Sequence, residues 1–472
     1  MNEGLPEIQE KIRKAIHLTL RAWHKIDQPP AEILAKLLSV QGLLSEAGER
    51  EPHRERKAIH QALLNALGEL ERKEPLGAKV VREHFINGHL LKNIKDQMNR
   101  EEAQVNRDQS RAIQMLADII YRKEQVLRIK AAENSEAELP PPSYKILIGV
   151  QTAAATLIEK LKEKDSASLY FLSGLGGIGK TSLADNVARQ IIRTLAFERV
   201  IWIRIKAQPL MAKLAAPELM FDEIVAQLTS KLFPGRRPGT VNWETVYAAL
   251  NETPHLIVLD NLESEADTYL IFDRLNQLKG SSKFLITSRI RPNPQAGVFT
   301  LSLDELSPDN SIRLIRHHAK TINFMEMAEA PEERLGEITA AVGGNPYALK
   351  LVTGLAQVLP LSEILKEANV DKDIGQVKDM FHYIFARAWQ LLSADAKNLL
   401  AVMPNVADVG AQLDQMQAIT GLDKSRLLAA IQELIFRSLI ELRGTAWERR
   451  YGIHRLTEAW VLKFVNDWTE ED

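Results

Sequence analysis

The 472-residue sequence contains no cysteine. This absence excludes disulfide bonds, thiolate metal sites and a cysteine nucleophile, and it fits a reducing compartment. Net charge is nearly absent as well, since 60 Lys and Arg side chains stand against 62 Asp and Glu side chains. The balance gives the whole chain no electrostatic attraction to nucleic acid or to an anionic membrane, although a local basic face is compatible with it.

Long apolar runs are also missing. No stretch reaches the roughly 20 apolar residues that a membrane-spanning helix needs, and the first residues lack the basic and apolar segments of a secretory signal. These absences predict a cytoplasmic protein without a membrane partner. At 472 residues the chain is too long for one hydrophobic core, so we expect about three or four domains.

Helical periodicity dominates the sequence as far as about residue 130, with apolar residues at three- and four-residue steps. Residues 134–143 are first polar and then rich in proline, which predicts a linker. Beyond it, short apolar strands alternate with amphipathic helices, the pattern of a parallel sheet covered on both faces. The predicted strands are 168–173, 200–205, 255–260, 283–288 and 298–303. The chain is helical again beyond residue 306, with two strand-like pieces near its end, 438–442 and 451–454.

The sequence GLGGIGKT at residues 174–181 follows an apolar strand and opens a helix, the context that a phosphate-binding loop requires. Its glycines let backbone N–H groups turn towards phosphates, and the helix N-terminus adds the positive end of its dipole. We expect Lys180 to reach the β- and γ-phosphates of ATP or ADP and the Thr181 hydroxyl to bind Mg²⁺. The predicted nucleotide-binding residues are Gly174, Gly176, Gly177, Ile178, Gly179, Lys180, Thr181 and Ser182.

An acidic partner for the metal lies at the end of the apolar run 255–260. Asp260 stands at the carboxyl end of this predicted strand, where open α/β sheets bind their ligands, and we predict that it binds Mg²⁺ together with Thr181. Arg289 ends the next strand-like run, 282–289, and is predicted to reach the γ-phosphate. An ordinary surface salt bridge is the alternative for Arg289.

Hydrolysis also needs a group that orients or deprotonates the attacking water. Asn261 follows Asp260, and its amide can orient water but cannot accept a proton at neutral pH. Glu263 is the nearest acidic candidate, and an ordinary acid at a helix start is an equal alternative for it. The predicted catalytic set is therefore Asp260, Asn261, Glu263 and Arg289.

Four segments together resemble the NB-ARC branch of the STAND ATPases, which are nucleotide-dependent signalling switches. They are GLGGIGKT at 174–181, HLIVLD at 255–260, SKFLITSR at 282–289 and GGNPYALK at 343–350. The resemblance covers about residues 144–465. It implies that Pro346 packs near the adenine, and that His454 contacts the β-phosphate of bound ADP and holds a closed state.

The resemblance also implies a domain order. After an N-terminal helical domain at 1–133 and the linker, it places a P-loop α/β nucleotide-binding domain at 144–304. A helical ARC-type domain at 305–372 and a winged-helix domain at 373–472 follow. The expected fold class is thus multidomain, α and α/β, with one parallel sheet.

Three positions depart from the family. Asn261 stands where many members have a second aspartate, which indicates slow hydrolysis. Arg455 replaces the aspartate of the Met-His-Asp motif, and the run Gly149-Val150-Gln151 lacks an expected adenine-side arginine.

Residues 80–117 resemble the last DNA-binding region of bacterial sigma factors, because a helix, a glycine turn, a short helix and a longer helix follow one another. By this match residues 101–114 are a recognition helix. The side chains facing DNA would be Gln104, Asn106, Arg107 and Arg111. Acidic residues nearly balance the basic ones in this region, however, and three-helix units also serve protein contacts. DNA and protein binding therefore stand as alternatives for the N-terminal part.

The sequence as a whole predicts an ADP/ATP-binding signalling switch with slow ATP hydrolysis. Nucleotide exchange would control domain opening and then self-association or binding of a protein partner. A transcription regulator whose DNA affinity depends on ATP is the alternative. A fast remodelling ATPase is disfavoured because Asn261 replaces a catalytic acid.

Overall fold

The structure is a computed structural model. It describes residues 5–25, 27–28, 31–46, 53–163, 166–205, 219–233, 242–262, 272, 274–275, 282–289, 298–370, 377–406, 410–445 and 447–464. The chain contains two compact units, divided between Asn134 and Ser135. None of the described helices combines the length and the apolar character needed to cross a membrane.

Helices are the regular secondary structure of the first unit's described residues. Its helices are α1 (Leu5–Arg21), α2 (Glu32–Ala35), α3 (Leu38–Glu46), α4 (Arg54–Lys73), α5 (Pro75–Val81), α6 (Leu91–Met98) and α7 (Glu102–Ala137). Their apolar faces meet in one core that contains Ile16, Ile59, Leu67 and Leu116. Helix α7 continues four residues into the segment predicted as a linker, because the first residue there that cannot continue a helix is Pro140.

The region that resembles a helix-turn-helix has its own small core of Val80, Ile94 and Val105. The segments predicted as helices at 91–98 and from 101 onward coincide with α6 and with the start of the longer α7. The four side chains predicted to face DNA, Gln104, Asn106, Arg107 and Arg111, are all exposed. DNA binding and protein binding both stay predictions for this region.

The second unit contains a parallel sheet of five strands. They are β1 (Leu169–Ser173), β2 (Arg199–Arg204), β3 (His255–Leu262), β4 (Lys283–Ser288) and β5 (Val298–Ser302), in the spatial order β2-β3-β4-β1-β5. Helix α8 (Gln151–Lys162) precedes β1, and α9 (Lys180–Ile192) connects β1 to β2. Helices α10 (Leu219–Leu232) and α11 (Trp243–Glu252) lie between β2 and β3. The expected fold class, a P-loop α/β domain with helical regions, is confirmed.

Side chains alternate between the two faces of this sheet. Ile203, Ile257 and Leu259 point into the core that also contains residues of α10 and α11. Arg204 and Asp260 therefore lie on the other face, and they are register partners on neighbouring strands. Because all strands are parallel, their carboxyl ends gather at one edge, where the polar side chains of the site converge.

The proline-rich segment before the sheet is held against α9. The Arg189 guanidinium donates hydrogen bonds to the Pro140 carbonyl at 2.5 Å and to Asp185 at 2.9 Å. The Tyr144 hydroxyl donates to the same carboxylate at 2.7 Å. This segment is therefore anchored to the helix that begins at the phosphate loop.

Helices form most of the remaining chain. They are α12 (Pro308–Thr321), α13 (Met325–Ala328), α14 (Glu332–Val342), α15 (Pro346–Leu355), α16 (Leu361–Val370), α17 (Val377–Gln390), α18 (Ala394–Val402), α19 (Leu413–Thr420), α20 (Lys424–Phe436) and α21 (Arg455–Phe464). Strands β6 (Glu441–Gly444) and β7 (Arg449–Gly452) pair as an antiparallel hairpin. One hydrophobic core runs through this region. The predicted winged-helix domain and the boundary at residue 372 stay predictions.

Candidate functional site

The phosphate loop joins β1 directly to α9. Gly174, Gly177 and Gly179 have φ angles of 148°, 78° and 102°, a backbone region that favours glycine. Lys180 Nζ donates hydrogen bonds to the carbonyl oxygens of Gly174 at 2.7 Å and Leu175 at 2.8 Å. The ammonium group is therefore held against the loop, beside the positive N-terminal end of α9.

Asp260 connects three elements of the domain. Its Oδ1 accepts hydrogen bonds from Thr181 Oγ1 of α9 and from Thr287 Oγ1 of β4, each at 2.7 Å. The residue is 2% exposed. The structure thus brings together the hydroxyl and the carboxylate that the sequence predicts as the Mg²⁺ pair.

Asn261 has a structural function at the end of β3. Its φ of 89° is unusual for a residue other than glycine, although asparagine adopts such angles more readily than most. Its backbone N–H donates to Thr287 Oγ1 at 2.8 Å, and its side-chain amide donates to the Ile205 carbonyl at 2.9 Å. The amide nitrogen therefore ties β3 to the end of β2, and the function predicted for Asn261 in orienting water stays a prediction.

Four of the remaining predicted site residues line one cavity. Arg289, Pro346 and His454 line the same cavity as the phosphate loop, and so does Ser182. Glu263 lies outside the described residues.

That cavity has a volume of about 510 Å³, which is within the usual range for small-molecule sites. It is lined by the phosphate loop, by the start of α15 and by residues of the C-terminal hairpin and α21. The basic side chains that line it are Lys180, Arg204, Arg289, Lys350, Arg443 and Arg455, and the acidic ones are Asp260, Asp304, Glu305 and Glu441. Six basic groups against four acidic ones favour an anionic ligand.

The phosphate loop packs closely on the start of α15. Asn345 caps this helix through its Oδ1 and donates from Nδ2 to the Gly176 carbonyl at 2.9 Å. A Cβ atom at Gly177 would lie 2.9 Å from Asn345 Oδ1 and 2.9 Å from Tyr347 Cβ, so only glycine fits there. Asn345 is not among the residues predicted from the sequence, although its place directly before Pro346 is a typical helix-cap position.

His454 is held between α15 and α21. Its ring stacks on Tyr347 with 3.6 Å between ring centroids, and its Nδ1 accepts a hydrogen bond from the Leu456 N–H at 3.2 Å. The Tyr347 hydroxyl is hydrogen-bonded to the Thr457 hydroxyl. The imidazole is therefore fixed in orientation where it lines the cavity.

The pKa of the His454 imidazole is lowered to about 4, chiefly by burial. The Glu441 carboxylate raises it, and the charges of Lys350 and Arg443 oppose that effect. The ring is neutral at pH 7. For Glu441, burial alone would raise the pKa, but Arg443 and Lys350 are among the groups that together lower it. Its carboxylate is therefore ionised beside the cavity.

Mild acid should destabilise this part of the chain. Because the pKa of His454 is about 4 in the fold and roughly 6.5 when exposed, the unfolded chain binds more protons between these values. The contribution of His454 to the free energy of unfolding is fully present above about pH 6.5. It falls as the pH drops towards about 4, by at most about 1.4 kcal/mol per pH unit. Between about pH 7 and 5, the thermal unfolding midpoint of the wild type should fall by more than that of His454→Gln. Equal losses would contradict this assignment.

Residues 150–323 match the family model of the NB-ARC domain. Among curated proteins, the probable disease resistance RPP8-like protein 2 of Arabidopsis thaliana is 25% identical over 265 residues, which are 52% of this chain and 27% of that protein. The inactive disease susceptibility protein LOV1 of the same plant is 25% identical over 255 residues, which are 50% of this chain and 25% of that protein. The matches thus span about a quarter of the length of these relatives.

Among solved structures, the STAND protein with a tetratricopeptide repeat sensor from Pyrococcus horikoshii aligns with a TM-score of 0.46 and 18% identity. The alignment covers 70% of this chain and 45% of that chain. The family match includes the phosphate loop, all five parallel strands and Asp260. Residues 150–323 of this chain therefore form an NB-ARC domain.

Proposed function

We propose that this protein is a signalling switch that binds ADP and ATP with Mg²⁺ and hydrolyses ATP slowly. The main support for this proposal is that three separate regions of the chain line one cavity. The phosphate loop, the start of α15 and the C-terminal residues around His454 all line it. A nucleotide bound there would contact all three regions. Whether it carries two phosphates or three can therefore bias how these regions pack together.

The residues present fit Mg²⁺ and a nucleotide. Thr181 Oγ1 and Asp260 Oδ1 are 2.7 Å apart, and a hydroxyl and a carboxylate are oxygen ligands of the kind that Mg²⁺ prefers. The metal would neutralise part of the phosphate charge. Lys180 would bind the β- and γ-phosphates, with Arg289 near the γ-phosphate and His454 near the β-phosphate.

Slow hydrolysis is supported by the hydrogen bonds of Asp260 and of Asn261, which follows it. The Asn261 amide nitrogen donates to the Ile205 carbonyl, and an amide does not accept a proton at neutral pH. Asp260 itself accepts two hydrogen bonds from Thr181 and Thr287. Neither side chain is arranged as a strong general base, which favours a long-lived bound nucleotide.

A signalling function is supported by the names of the curated relatives, which are disease-resistance and disease-susceptibility proteins of a plant. In the proposed cycle, ADP stabilises the arrangement in which the hairpin lines the cavity. Exchange for ATP favours separation of these regions and exposes surfaces for self-association or for a protein partner.

The test is to identify the nucleotide that the purified protein carries and to measure its mass with ADP and with a non-hydrolysable ATP analogue. The proposal predicts retained ADP in a monomer and a larger assembly or an expanded monomer with the analogue. Rapid exchange without any change in mass or dimensions would overturn it. Lys180→Ala, prepared in parallel, reports the nucleotide-free behaviour.

A further inference from the structure

The C-terminal hairpin presents two oppositely charged side chains on one face. Glu441 and Arg443 are two residues apart on β6, so their side chains lie on the same side of the hairpin. The residue opposite Glu441 on β7 is Gly452, which has no side chain. Both charged residues line the nucleotide cavity.

The missing side chain at Gly452 makes room for the Arg443 guanidinium. A Cβ atom there would lie 2.6 Å from Arg443 Cζ and 2.7 Å from Nε. Arg443 Nη2 donates to the Ile453 carbonyl at 3.2 Å and to Glu441 Oε2 at 3.1 Å. Arg443 is 9% exposed, so the pair is held in a defined position.

Glu441 is unusual among the acidic groups of the cavity. Asp260, Asp304 and Glu305 come from the sheet and from the residues that follow it, whereas Glu441 is supplied by the hairpin. Its carboxylate interacts with the positive charges of Arg443 and Lys350. The electrostatic effect of this carboxylate on the cavity therefore depends on how the hairpin packs.

We propose that Glu441 determines the preference of this site for ADP over ATP. The inference rests on the proposed function, because it assumes that phosphates occupy the cavity. The γ-phosphate adds negative charge to a cavity that already contains a fixed carboxylate, and repulsion between them weakens ATP binding while the hairpin stays in place. ADP lacks this extra charge. The hairpin thus disfavours ATP until it moves away.

The experiment compares Glu441→Gln with the wild type in competition binding against fluorescent ADP, with Mg²⁺ present. The competitors are ADP and β,γ-methylene ATP. Removing the carboxylate charge should improve binding of the ATP analogue relative to ADP by about tenfold, the order of effect that one unit charge has within a protein site. Glu448→Gln is the matched control, because it removes the same charge from an exposed position of the same hairpin.

Gly452→Ala gives a second and opposite test. Its methyl group would displace the Arg443 guanidinium and leave the Glu441 carboxylate less neutralised, so the ATP analogue should bind more weakly relative to ADP. An unchanged ratio in both variants, or an equal change of both affinities, would overturn the inference and assign Glu441 a purely structural function. Wild-type protein that binds neither nucleotide would instead overturn the proposed function.

Discussion

Lys180→Ala is expected to lower the affinity for ADP and ATP by about a hundredfold. The ammonium group lies against the phosphate loop, where it contacts the Gly174 and Leu175 carbonyl oxygens at 2.7 and 2.8 Å. Two charge-assisted contacts to phosphate oxygens are together equivalent to about 3 kcal/mol, which corresponds to about two orders of magnitude in Kd.

The control for this variant is Lys162→Ala. Lys162 is exposed near the end of α8 and does not line the cavity, so its loss removes the same charge without removing a phosphate contact. Titration with fluorescent ADP gives both affinities, and the unfolding midpoint without nucleotide shows whether either variant is misfolded. A folded Lys180→Ala protein that binds ADP as tightly as Lys162→Ala would contradict the assignment of the phosphate loop.

Gly344→Ala is expected to destabilise the second unit by about 3 kcal/mol, because an added methyl group meets backbone atoms that cannot move aside. A Cβ atom at Gly344 would lie 2.2 Å from the Leu306 carbonyl oxygen and 2.7 Å from its nitrogen. The same two residues are joined by a hydrogen bond of 2.9 Å from Leu306 N to Gly344 O. This close pairing brings the loop before α15 against the segment that precedes α12.

Gly336→Ala is the matched control in the same region. Gly336 lies inside α14, and a Cβ atom there would meet nothing within 4 Å. Alanine is the better helix former, so this variant should unfold at the same temperature as the wild type or slightly higher. Gly344→Ala should lower the first unfolding midpoint by about 5 °C or more. Equal midpoints for the two variants would show that the loop tolerates a side chain.

Local patterns in the sequence were sufficient to locate the nucleotide domain. The phosphate loop depends on glycines that are adjacent in sequence, and the strand that ends at Asp260 is a continuous apolar run. Both features are set by backbone conformation and burial over fewer than about ten residues. The resemblance to the NB-ARC family rests on these segments, and the family match confirms it.

Contacts between distant residues could not be predicted in this way. The Asn345 side chain reaches the Gly176 carbonyl across 169 residues, and the Tyr144 hydroxyl reaches Asp185 across 41. The pairing of Glu441 with Arg443 is local, but its place at the cavity depends on how the hairpin packs. The contact of Asn261 could not be predicted from the sequence either, because its hydrogen bond to Ile205 depends on β2 and β3 being neighbours in the sheet.

In the proposed switch, the nucleotide controls the packing of the hairpin region against the phosphate loop. Because the sequence contains no cysteine, two introduced cysteines can carry spin labels without further changes. Suitable exposed positions are Gln190→Cys on α9 and Lys424→Cys on α20. We expect a short, narrow distance distribution with ADP and a longer one with Mg²⁺ and β,γ-methylene ATP. Identical distributions with the two nucleotides would contradict it.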